Sequence, residues 1–119
     1  MQAYPKHIKK LLAQATTAAY EHELQRALTK LDRSFSDWRS GNISSGELSH
    51  RIHQYETGVS RELFKRYNDG QPDMLVAYAV VVGILDREDL PVELLEALVA
   101  PLSFYQSLAD RDELKRPDA

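Results

Sequence analysis

Met74-Leu75-Val76-Ala77-Tyr78-Ala79-Val80-Val81-Val82-Gly83-Ile84-Leu85 runs for twelve residues without a charge, and the fold turns on how that run is read. A helix apolar on every side is either the buried centre of a fold or a membrane span. Twelve helical residues rise about 18 Å, short of the roughly 20 residues a bilayer needs. Periodicity alone does not separate a short apolar run in a helix from a buried strand. The alanines favour helix, and so does Asp73, placed where an N-cap falls after Pro72. The run is therefore predicted to be a central, buried helix over 74–85.

Working back along the chain, Tyr4-Pro5 opens a helix, since proline fits a first turn. No Gly or Pro interrupts from there to Trp38. Leu24, Leu28, Leu31, Phe35 and Trp38 alternate spacings of four and three, an apolar stripe of the a/d kind. Ile8, Leu12, Ala15 and Ala19 keep the same rhythm, but at about 100° per residue that stripe lies nearly opposite the later one. Either the helix bends near Thr16-Thr17 or its first part packs on something else: the C-terminal helix, a second copy, or another protein.

Ser40-Gly41-Asn42 forms a turn, with Gly41 suited to a left-handed cap. Ser44 and Glu47 then have capping-box spacing. Leu48, Ile52, Tyr55, Val59 and Leu63 continue as a second stripe, extended by Tyr67 and stopped at Asn68-Asp69-Gly70. A short connection makes the two amphipathic helices antiparallel neighbours. Their stripes are expected to zip together and leave a groove for the 74–85 helix. After the charged link 86–90, Pro91 opens a last helix that Pro101 should kink or split. The expected architecture is thus all-α: a compact bundle of four or five helices, with a long antiparallel N-terminal hairpin packed on the buried apolar helix and a proline-kinked C-terminal helix. Residues 1–109 read as one domain and 110–119 as a polar, flexible tail.

Composition agrees with a small globular domain: 119 residues, 43% apolar and 28% charged, which argues against wholesale disorder. The absence of cysteine removes disulfides, thiolate metal sites and cysteine nucleophiles, and suits a reducing cytoplasm. Leu11 to Tyr20 is too polar for a secretory h-region, so cytoplasm is the expected location and no membrane contact is expected. The net charge of −3 is uneven: residues 1–70 carry eleven Lys/Arg against eight Asp/Glu, residues 71–119 four against ten.

Chemistry-bearing patterns are sparse. Glu47-Leu48-Ser49-His50 is a Glu-x-x-His, a spacing that puts both side chains on one helix face, as di-metal bundles require. Only one copy occurs; Glu47 also suits the capping box and an i,i+4 pair with Arg51, and His50 points away from the apolar stripe. With His22, His53 and neighbouring acids, these residues form the alternative reading, a metal- or acid–base-dependent enzyme. No Gly-rich phosphate loop, nucleophile elbow or dinucleotide fingerprint occurs, so no cofactor is implied. Lys6, Lys9, Lys10, Arg61 and Lys65 are candidates for nucleic-acid contact, a third reading ranked low by the negative net charge and the absence of helix-turn-helix spacing. Among the aromatics, Phe35, Trp38, Tyr55 and Tyr105 sit on stripes and read as core, whereas Tyr4, Phe64 and Phe104 suit an exposed patch.

The displaced first stripe has no such ordinary explanation. Ile8, Leu11, Leu12, Ala15 and Ala19 combine apolar area with small residues that permit close helix approach, a common recognition surface. The sequence thus reads as a non-enzymatic helical interaction or regulatory module, with that face bound to a second copy as a homodimer or to another protein.

Overall fold

A computed structural model describes residues 3–117, and among them every regular element is helical. α1 spans Lys6–Arg39, α2 Ser45–Gln54, and a π-helical turn Tyr55–Ser60 leads directly into α3, Arg61–Asp69. α4 covers Pro72–Val81, α5 Val92–Ala97 and α6 Val99–Asp110, with a single 3₁₀ turn at Arg87–Asp89. The chain divides into two units, residues 20–69 and the segments on either side of them.

In the first unit the apolar run is buried as expected. Val76, Ala77 and Ala79 are inaccessible to solvent, and Val80 is nearly so. The helix is shifted from its expected bounds. Pro72 is its first residue and Gln71 its N-cap, so Asp73 stands inside the first turn. Its Oδ1 accepts the Met74 amide at 2.8 Å, and Oδ2 accepts the Tyr4 hydroxyl at 2.9 Å. At the other end Gly83, at φ 87°, takes the left-handed conformation that stops a helix, so Ile84 and Leu85 follow as a turn.

The partners of α4 differ from those expected of the hairpin stripes. Its core is completed by Ile8, Leu12 and Ala15 of α1 and by Leu94, Leu98 and Leu102 of α5 and α6. Leu24, Leu28, Leu31, Phe35 and Trp38 take no part in it. The first half of the hairpin's long helix thus packs on the apolar helix through the displaced stripe. The C-terminal helix is split at Leu98, whose φ of −100° and ψ of 16° leave the helical range. Pro101 falls in the first turn of α6, where its missing N–H costs no hydrogen bond.

The second unit is the hairpin of α1 from residue 20 onward with α2, the π turn and α3. α1 runs unbroken through Thr16 and Thr17, whose hydroxyls donate to the carbonyls of Leu12 and Ala13. It ends in a Schellman motif: Gly41 at φ 78° donates to the Trp38 carbonyl, and Asn42 to that of Asp37. Ser44 caps α2 by accepting the Glu47 amide at 3.1 Å.

The π turn resolves a phase problem written in the sequence. Leu48 and Tyr67 are nineteen positions apart, about 5.3 turns at 3.6 residues per turn, which would leave them about 100° out of line. One extra residue absorbed in a π turn leaves five whole turns, and both then face α1. Leu48 is 6% exposed and Leu63 5%, while Tyr67 stacks on Tyr20 of α1 with ring centroids 5.2 Å apart.

Deleting Gly58 should restore a continuous α-helix with Leu48 and Tyr67 eighteen positions apart, five whole turns, so Leu63 and Tyr67 stay on α1 and stability should move by less than about 1 kcal/mol. Deleting Gly58 and Val59 together leaves seventeen positions, about 100° out of line, and should cost about 3 kcal/mol or more. Gly58→Ala keeps the residue count, and its methyl would meet no atom within 4 Å. It should stabilise by up to about 1 kcal/mol. Chemical denaturation of the three variants checks this; a single deletion as costly as the double one would remove the register role of the turn.

Candidate interaction surface

The hairpin is held by polar contacts along its inner line. The Glu23 carboxylate is buried against α3, accepting a short hydrogen bond from the Tyr67 hydroxyl, with Arg66 Nη1 3.5 Å from both its oxygens. Arg66 thus serves Glu23 rather than its helical neighbour Glu62. Further along, Arg51 donates to Ser34 Oγ at 3.2 Å and to Glu47 Oε1 at 3.0 Å, and lies 3.9 Å from Asp37. Near the turn, Trp38 Nε1 donates to Ser45 Oγ at 3.0 Å. Glu23, Ser34, Arg51 and Leu63 therefore mark the inward-facing line of the pair.

Large apolar residues follow these inward positions by one step. Leu24 follows Glu23, Phe35 follows Ser34, Ile52 follows Arg51 and Phe64 follows Leu63, while Leu28 stands one turn on from Leu24. One step is about 100° of helix rotation. Seen from one end, that rotation is clockwise on one helix of an antiparallel pair and counter-clockwise on the other, so these five residues lie on the same side of the hairpin. Leu28 is 47% exposed, Ile52 37% and Phe64 60%, with Leu24 and Phe35 partly buried. Trp38, expected in the core, is also exposed, because a hairpin end has no third helix to cover it. Along α1 this side is a shallow groove lined by Glu21, Leu24, Gln25, Leu28, Thr29 and Asp32.

The surface expected from the sequence lies elsewhere. Ile8, Leu12, Ala15 and Ala19 are all buried and Leu11 is half-buried; the first three pack inside the chain on α4–α6, and Leu11 packs against the same core. Of the possibilities open for that stripe, packing on the C-terminal helices is the one realised, and a partner reaches it only if the unit opens. Phe64 and Phe104 are exposed as expected, but Tyr4 is partly buried and bonded to Asp73.

The chemistry-bearing candidates stay apart. Glu47 is engaged by Arg51 and His50 is exposed. Among the described residues no three His, Asp or Glu side chains gather in a way that could hold a metal. Lys6, Lys9, Lys10, Arg61 and Lys65 are exposed, and His7 lies 3.9 Å from Glu93. Among the described residues no helix is long and apolar enough to cross a membrane. Comparison of the chain with protein families, with characterised proteins and with solved structures yields no match.

Two substitutions test this placement. Leu12 is only 4% exposed, so Leu12→Glu should abolish cooperative melting, followed by circular dichroism. A folded variant would return the stripe to the list of free surfaces. Near it, the Tyr4 phenol is pushed from 10.0 up to about 12, first by burial, then by its hydrogen bond to Asp73 and by that carboxylate's charge. The fold favours the protonated phenol, so this contribution is complete below pH 10 and is lost as pH rises through about 12. Stability measured across that window should fall less steeply in Tyr4→Phe; parallel curves would exclude the contact as a contributor.

Proposed function

We propose that this chain is a non-enzymatic helical interaction module that self-associates through the apolar side of its 20–69 hairpin. The observation that carries the reading is the one-sided row Leu24, Leu28, Phe35, Ile52 and Phe64, of which Leu28, Ile52 and Phe64 are exposed and Leu24 and Phe35 partly so. Two helices share a single line of contact, and a four-helix arrangement is the ordinary way to cover the remaining apolar flank.

Charge favours a second copy as the occupant. Residues 20–69 carry eight Lys/Arg and eight Asp/Glu. A balanced surface offers an acidic or basic partner little to steer on and sets up no net repulsion between like chains. Two copies related by a two-fold axis present the same patch to each other, so five apolar residues per chain become ten in one buried layer.

Light scattering on a sizing column should give the mass of a dimer for the wild type. Leu28→Glu and Phe64→Glu should each give a monomer with unchanged helicity, since exposed substitutions usually move stability by only about 0.5 kcal/mol. A monomeric wild type at about 100 µM, or dimers that survive both substitutions, would sink the reading.

A further inference from the structure

The segment after α6 points to a binding site on the other unit. α6 closes in a Schellman motif built on a residue other than glycine: Asp112 stands at φ 57° and donates to the Ala109 carbonyl at 3.1 Å. Glu113 donates to the Leu108 carbonyl at 2.8 Å. Aspartate is among the few side chains that tolerate this region. The reversal brings the chain back to α4, where the Tyr78 hydroxyl donates to the main-chain carbonyl of Lys115 at 2.7 Å. Tyr78 meets Tyr105 of α6 edge-on, with centroids 5.6 Å apart, and Phe104 lies 5.1 Å from Tyr105 in the same manner. Leu114 and Pro117 are partly buried while Lys115 and Arg116 remain exposed.

A non-helical segment thus gives Tyr78 a main-chain carbonyl, the group every peptide offers, while its own Leu114 and Pro117 are partly buried. We propose that the Tyr78–Tyr105 face is a binding site for a non-helical peptide segment, and that residues 113–117 are its resident occupant, latched in cis by the turn at Asp112. A tethered segment competes at an effective concentration of order millimolar, so the latch excludes weak peptides and admits only ones that outbid it.

The test uses the full chain and two variants. The Lys115–Arg116 bond should be cut by trypsin at least tenfold more slowly in the wild type than in a free peptide of residues 108–117. Tyr78→Phe, which removes only the hydroxyl, should raise the rate several-fold while leaving the melting temperature unchanged. Asp112→Pro cannot adopt a positive φ and should release the segment. In that variant an acetylated, amidated peptide of residues 113–117, added at millimolar concentration, should shift the ring signals of Tyr78 and Tyr105 in a saturable way. The same peptide should leave the wild type unaffected. Cleavage of the wild type at the free-peptide rate, or peptide shifts in neither protein or in both, would overturn the proposal.

Discussion

The architecture depends on the phase of apolar residues along α1. A single helix of 34 residues carries one stripe through Ile8, Leu12 and Ala15 and a second through Leu24, Leu28, Leu31, Phe35 and Trp38. Because the two are out of line, no one set of partners can cover both. The first is met by α4, α5 and α6 around Val76, Leu94 and Leu98, all fully buried. The second has only α2 and α3. One core is therefore many-sided and closed, while the other is a seam between two helices with an apolar flank left over.

The seam joins the buried Leu48 and Leu63 with a set of polar contacts. A buried carboxylate is costly unless its charge is met by hydrogen bonds and a counter-ion, and Glu23 has both in Tyr67 and Arg66. Arg51 plays the corresponding part further along, with Ser34 and Asp37. Directional contacts of this kind fix which residues face one another far better than a row of leucines would. At Glu23, Ser34 and Arg51 they occupy inward positions, and Leu24, Phe35 and Ile52 stand one step to the side. Phe64 stands in the same relation to the buried Leu63.

The helical class, the Gly41 cap, the Ser44 N-cap and the burial of the 74–85 run were legible because each rests on local chemistry or on a long apolar pattern. The identity of the face against α4 was harder. Stripe strength ranked Leu24–Trp38 above Ile8–Ala19, but alanines permit the close approach that a central helix of alanines and valines also requires, and that match decides the packing. The π turn had a signal in the spacings after Leu48, a three followed by repeated fours, which a plain α-helix cannot keep on one line. A stripe drifting by a fraction of a turn reads as ordinary amphipathicity, which hides the turn. In the same way a displaced stripe reads as an unsatisfied one, whereas the exposed residues sit one step from the inward line and emerge only once Glu23, Ser34 and Arg51 are known to face inward.

The two proposed surfaces differ in the kind of recognition they allow. The hairpin flank is apolar, roughly flat and neutral, so it selects by shape and by the regular spacing of side chains along a helix, which a second copy supplies. The Tyr78–Tyr105 face offers one hydroxyl donor to a main-chain carbonyl, so it selects by where that carbonyl stands rather than by a regular row of side chains.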